Sequence, residues 1–182
     1  DPDLDEEIVF EHIQNPLDNP QAILGSATTR LVYDLWAYYR SRQEAPTDDA
    51  PTQPAVVYAL ARETHGSDLT ENTLSKIQHS FVYSDGFGRE IQTKIQAEPG
   101  LAPVQDGEGV LQCDQNLVET NPRWLGTGRT IFNNKGKPVK QYEPFFSPTH
   151  EYENESGLVE CGVTPIIFYD PIQRVVATLH PN

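Results

Sequence analysis

At 182 residues, with 37% hydrophobic content and 15 prolines, the chain has room for one domain with a modest core and long polar connections. A formal charge of −14 argues against nucleic acid as a partner, because phosphate neutralisation needs clustered Lys and Arg. No apolar run reaches the roughly 18 residues of a membrane-spanning helix, which argues against membrane insertion.

The acidic excess is uneven. Residues 1–50 hold 11 acidic and 3 basic side chains, against 5 of each in residues 101–150. Residues 1–26 therefore read as a solvated acidic arm, with Glu7–Ile13 as one short strand inside it. The chain contains no Met and opens without a signal or transit peptide, so 1–182 is expected to be a single β-rich module cut from a longer protein.

From Thr28 to Tyr39 the residues are β-branched and aromatic, which favours strand over a short helix. A Pro-rich polar loop follows over residues 41–54. Ala55–Thr64 reads as a strand able to pair back on the Thr28–Tyr39 run. A second loop runs from Gly66 to Ser75, and Asn72–Ile77 and part of Leu31–Arg40 are the only places where a helix competes.

Between Lys76 and Glu98 apolar and polar residues alternate on both sides of Asp85-Gly86-Phe87-Gly88, which predicts a β-hairpin. Ile77, His79, Phe81 and Tyr83 share one face of the first arm. Ile91, Thr93, Ile95 and Ala97 share one face of the second. Gln78, Ser80, Gln92, Lys94 and Gln96 fall opposite. Pro99 to Gly128 reads as a long connection, pinned to the sheet by Trp124. Hairpins then follow around Asn133–Gly136 and between Thr164–Tyr169 and Arg174–Leu179.

The tip, Asp85-Gly86-Phe87-Gly88-Arg89, has an Asp able to accept backbone N–H bonds and a Gly free to take a positive φ. The spacing returns as Asn133-Asn134-Lys135-Gly136-Lys137 and as Asp170-Pro171-Ile172-Gln173-Arg174. Asp85, Gly88, Arg89, Asn133, Gly136, Lys137, Asp170 and Arg174 are the candidate turn residues. Tyr83, Phe132 and Tyr169 precede the three turns and are the candidate aromatics packing between successive hairpins. Tyr33-Asp34 is a candidate fourth copy. The separations of 48 and 37 residues between Asp85, Asn133 and Asp170 make this a degenerate array, not a strict tandem repeat. The expected fold is all-β or nearly so: consecutive antiparallel hairpins in a curved sheet, with Pro/Gly-rich loops and little helix.

Tyr169-Asp170 with Arg174 resembles the Tyr-Asp (YD) repeat of Rhs proteins. With Ser84–Glu90, Gly128–Pro138 and Gln141–Phe146, residues 27–182 resemble the middle to C-terminal region of the B component of bacterial insecticidal toxin complexes (TcB/TcdB-like), a family related to SpvB-type virulence proteins. The resemblance implies a structural shell module without catalysis of its own. The hairpins of B and C components enclose a toxic C-terminal domain, and a pore-forming A component delivers it. It also implies a secreted protein with a cytoplasmic stage before release, and C- and A-component partners reached through the full-length chain.

Chemistry-bearing patterns are weak beside this. Ser84-Asp85 with His79 has triad residue types but lies on one hairpin without a G-x-S-x-G elbow, and His79 reads as a sheet-face residue. Glu151, Glu153 and Glu155 read as a solvated strand face; with Asp85 they are the candidates for a hydrolase. His12, His65, His79, His150 and His180 are scattered, so neither a metal nor a cofactor is expected. Gly86-Phe87-Gly88 and Gly126-Thr127-Gly128 are each a lone G-x-G. Cys113 and Cys161 leave a single bridge and free thiols both open. The sequon Asn154-Glu155-Ser156 reads as coincidence. Trp36, Tyr38, Tyr39, Trp124, Phe145 and Phe146 form the alternative: an aromatic platform for a carbohydrate or receptor.

Overall fold

The computed structural model describes residues 4–44, 52–70, 73–107, 111–112, 117–127, 129–153 and 164–180. It is nearly all-β, with antiparallel sheets. Cys113, Cys161, Glu155 and the Asn154 sequon lie outside the described residues. The chain divides into two compact units, Asp1–Val82 and Tyr83–Asn182.

The first unit begins with α1 (Glu6–Gln14), where a strand is expected. Ile8-Val9-Phe10 is β-prone, but the less exposed positions Val9, His12, Ile13 and Pro16 fall three and four residues apart, a helical spacing. Glu6 and Glu7 in the first turn suit the helix dipole. Next comes α2 (Pro20–Leu24), with Pro20 at the first position and Gly25 ending it at φ +59°. This segment is not a solvated arm. Ile23, Leu24 and His12 are buried, Arg62 bonds the Ala27 carbonyl and Gln21 at 3.0 Å each, and Gln21 donates to the Ser75 carbonyl at 2.9 Å.

Strand β1 (Thr29–Asp34) ends where α3 (Ala37–Glu44) begins, so the Thr28–Tyr39 run is strand followed by helix. Asp34 is the pivot: it accepts from the Trp36 amide at 3.1 Å and pairs with Arg40. The candidate fourth turn is therefore a bend at the end of β1 that leads into α3, and α3 takes the front of the expected 41–54 loop. β2 (Ala55–Arg62) pairs back on β1 as expected, from Thr29↔Ala61 to Asp34↔Val56. β3 (Ile77–Ser84) completes the order β1-β2-β3, and the unit boundary falls inside it. Thr73–Ser75 are not helical. Alternation puts Val56, Tyr58, Leu60, Ile77, His79 and Phe81 into one core, where the Tyr58 and Phe81 rings stack 4.4 Å apart.

The second unit carries β4 (Glu90–Ala97), β5 (Gly100–Ala102), β6 (Val104–Gln105), β7 (Leu111–Gln112), β8 (Val118–Thr120), β9 (Arg123–Thr127), β10 (Thr130–Phe132), β11 (Pro138–Gln141), β12 (Phe145–Ser147), β13 (Ile166–Tyr169) and β14 (Val175–Leu179). Antiparallel pairing gives the orders β4-β9-β12 and β10-β11-β13-β14, and the ribbons β5-β8 and β6-β7. Most of the described residues in the expected long connection from Pro99 to Gly128 thus lie in short strands. Trp124 lies within one of them, 1% exposed.

On one face of this unit, register aligns Lys94, Gly126 and Phe145 across three strands. The Phe145 ring lies over Gly126, where an added Cβ would stand 2.4 Å from Phe145 Cζ. Gly126→Ala is expected to cost about 2 kcal/mol in urea unfolding, because a buried ring must leave its place. Unchanged stability would show that the ring moves freely.

Candidate functional site

Two constellations stand out, a row of three turns and a buried ionic cluster. The turns share one hydrogen-bond pattern despite their unequal spacing. In the first, the Asp85 and Gly88 amides donate to the carbonyls of Arg89 (3.0 Å) and Asp85 (2.9 Å). Asp85 Oδ1 accepts from the amides of Phe87 (2.9 Å) and Arg89 (3.0 Å), and Oδ2 accepts from Arg89 Nε at 2.7 Å. Asn133 Oδ1 repeats this toward Lys135 and Lys137 at 3.0 Å each. Asp170 repeats it toward Ile172 (3.0 Å), Arg174 N (2.9 Å) and Arg174 Nε (2.8 Å). The fourth position is left-handed in all three: Gly88 at φ +74°, Gly136 at +74° and Gln173 at +70°.

Desolvation pushes the Asp85 pKa up, but the bonds from Arg89 and the Phe87 amide outweigh it, and the carboxyl sits below its ordinary value. Asp170 is lowered by the amide and guanidinium of Arg174. Both carboxylates are acceptors engaged within their own turns.

A non-glycine residue at a left-handed position costs about 1 kcal/mol. Gly88→Ala is therefore expected to lower stability by about that amount and Gln173→Gly to raise it similarly. Opposite shifts in melting temperature are the readout, and shifts of one sign would contradict the shared geometry.

The turns also touch in series. The Arg89 guanidinium lies 4.4 Å from the Phe132 ring centre, and Lys135 Nζ donates to the Pro171 carbonyl at 3.0 Å. Tyr169 donates to the Pro138 carbonyl at 2.8 Å. Of the three candidate aromatics, Phe132 and Tyr169 thus contact a preceding hairpin. Tyr83 goes elsewhere: its hydroxyl donates to the His150 carbonyl at 2.7 Å and its ring packs on Tyr152.

The ionic cluster was not legible from pattern. On β4 it is Gln92 and Lys94 that are buried, both 0% exposed, while Ile95 is 43% exposed. Their partner is Glu153, which is 3% exposed and not on a solvated face. Lys94 Nζ reaches Glu153 Oε1 at 3.3 Å and the Thr149 carbonyl at 3.1 Å. The same carboxylate oxygen accepts from Ser147 Oγ at 2.8 Å and Gln105 Nε2 at 3.4 Å. Gln92 holds the Glu153 backbone, accepting from its amide at 2.8 Å and donating to its carbonyl at 3.2 Å. Burial drives the Lys94 pKa down against the opposing pull of Glu153. Chemically these bonds fasten residues 147–153 onto β4.

His79 sits in the first unit's core, its ring stacked on Tyr58 and its Nδ1 2.6 Å from the Tyr58 hydroxyl. That hydroxyl also lies 3.0 Å from the Pro16 carbonyl, which can only accept. Tyr58 therefore donates to Pro16, and His79 is protonated on Nδ1 and donates to Tyr58. The aromatic platform divides: Trp36, Tyr38 and Tyr39 are exposed, whereas Trp124 and Phe145 are buried. Among the described residues, no group of three or more His, Cys, Asp and Glu is arranged to hold a metal ion.

No family model matches the chain, and no curated protein matches it. Among solved structures it is similar to TcdB2-TccC3 at 27% identity and a TM-score of 0.67, over 84% of this chain and 7% of that one. The likeness is to toxin-complex chains. A TcdB2-TccC3-TEV structure matches in fold at 22% identity and a TM-score of 0.70, over 98% of this chain and 10% of that one. A Photorhabdus luminescens Tc holotoxin pore does so at 24% and 0.63, over 97% and 8%. The chain thus spans about a tenth or less of its toxin-complex neighbours.

Proposed function

We propose that the chain is a wall module of a secreted bacterial ABC-type toxin complex, from the middle to C-terminal region of a B component of the TcB/TcdB, SpvB-related kind. In this reading its YD-type hairpins help enclose a toxic C-terminal domain contributed by the C component, and the A-component pore receives the assembly. The module performs no catalysis of its own. One observation carries the reading: three turns of one geometry touch in series, each hairpin leaning on the one before it. A hairpin that cannot cover its own apolar residues gains by stacking on neighbours. β14 fits the same logic, since all five of its residues are exposed, Val175 at 58% and Val176 at 62% among them.

The test uses the parent protein assembled with its C component. Val175→Lys with Val176→Glu is expected to leave the isolated chain's melting temperature unchanged but to expose the enclosed toxic domain to protease. Full protection in the variant complex would contradict the wall reading.

The exposed set Trp36, Tyr38 and Tyr39 favours a second reading, a carbohydrate- or receptor-binding module. A glycan array in which binding is lost with Trp36→Ala would support it; an array without signal would remove it.

A further inference from the structure

Where the chain passes from β9 to β10, Arg129 is buried, at 8% exposure. Its backbone carbonyl accepts from the Tyr142 amide at 2.9 Å, at the open end of the β10-β11 hairpin. The side chain rests on Tyr152, with Cζ 5.2 Å from the ring centre. Its Nε is sealed from solvent and has no hydrogen-bond partner. The two Nη nitrogens are not sealed, and among the described residues they too make neither hydrogen bond nor ion pair.

Other arginines of the chain are satisfied at the same atom. Arg89 and Arg174 turn Nε onto Asp85 (2.7 Å) and Asp170 (2.8 Å). Arg62 and Arg123 turn it onto the carbonyls of Ala27 (3.0 Å) and Glu98 (2.8 Å). All four are less buried than Arg129. The guanidinium that has lost most water is thus the one left without an acceptor.

Chemistry narrows what is missing. A guanidinium is always charged and carries donors only, so it needs an acceptor whatever the pH. A buried cation without a counter-ion is strongly destabilising, and a neutral acceptor would leave that charge uncompensated. Tyr152 covers one face of the group, which leaves its edge as the approach. Carboxylate fits that edge, because its two oxygens match the parallel N–H bonds of the fork.

We infer that Arg129 receives one carboxylate, the Asp or Glu side chain of a neighbouring polypeptide segment. The chain spans about a tenth or less of the toxin-complex chains it is similar to, so a protein of that kind has much further chain to supply it. The need for an anion stands on the second unit alone and is independent of the wall reading.

The experiment follows the Arg129 Nε–H signal by NMR in the full chain, assigned by its loss in Arg129→Lys. The probes, at fixed ionic strength, are N-acetyl-glutamate methylamide, its uncharged counterpart N-acetyl-glutamine methylamide, acetate and inorganic phosphate. A saturable shift with the glutamate probe, several-fold tighter than with acetate and absent with the glutamine probe, is the expected result. The glutamate probe should also raise the melting temperature of the chain. That rise should vanish in Arg129→Met and shrink in Arg129→Lys, which keeps the charge but loses the fork. If Arg129→Met does not fold, Arg129→Lys and the NMR titration decide. Equal binding of acetate or tighter binding of phosphate would mark a general anion site and overturn the inference. An equal response to the glutamine probe, no saturable shift, or an undiminished rise in the variants would do the same.

Discussion

Lys94→Met is expected to destabilise the chain by about 3–5 kcal/mol, because it leaves the Glu153 carboxylate buried without its counter-ion. Both side chains are almost inaccessible, at 0% and 4% exposure, so water cannot replace the lost partner. The Ser147 and Gln105 donors remain, but neither carries charge. Lys94→Met with Glu153→Gln should recover most of the loss, since the glutamine keeps an oxygen acceptor for Ser147 without the charge. Urea unfolding of the two single variants and the pair provides the cycle. Additive losses would show that the two side chains do not act as a unit.

Acid should weaken the first unit through His79. Burial, with His12 beside it, lowers its pKa from 6.5 to about 4. Above pH 6.5 the ring is neutral in both folded and unfolded chains and contributes no pH dependence. As the pH falls from 6.5 to about 4, the unfolded chain takes up a proton that the folded one refuses. Stability present above 6.5 is thus lost across that window, by roughly 2–3 kcal/mol for this residue. His12, lowered for the same reason, adds to the slope. Unfolding free energies at pH 7.5 and pH 4.5 measure the loss, and His79→Phe, which keeps the ring stack on Tyr58, should reduce it. An equal slope in that variant would assign the acid sensitivity elsewhere.

Much of the β architecture is legible where period-two alternation meets a turn signal. β2, the reversal at Asp85–Arg89 and the hairpins β10-β11 and β13-β14 all fall where the alternation and turn residues put them. The matching geometry of the third turn is less visible, because Gln173 occupies a position that glycine usually marks.

Alternation separates two faces but does not say which one is buried. On β3 the apolar face goes inward. On β4 the polar face does, because Gln92 and Lys94 find Glu153 about sixty positions later in the chain, and no local pattern announces that pairing. Glu7–Ile13 is helix where strand is expected, because its three β-prone residues mask a helical spacing that relies on His12. Tyr33-Asp34 shares two residues with the turns, but the Asp closes β1, accepts from the Trp36 amide and pairs with Arg40 on the helix that follows. The short strands between Pro99 and Gly128 are two or three residues long where they flank β9, too brief for a periodic signal.

The central claim is that these hairpins exist to be covered by neighbours. A cryo-EM structure of the chain in the B–C assembly proposed for it tests it most directly. The account predicts that the outer edge of β14 is paired with a further strand and that Val175, Val176 and Leu179 are buried. A β14 that remains an unpaired, solvent-facing edge in that assembly would contradict it.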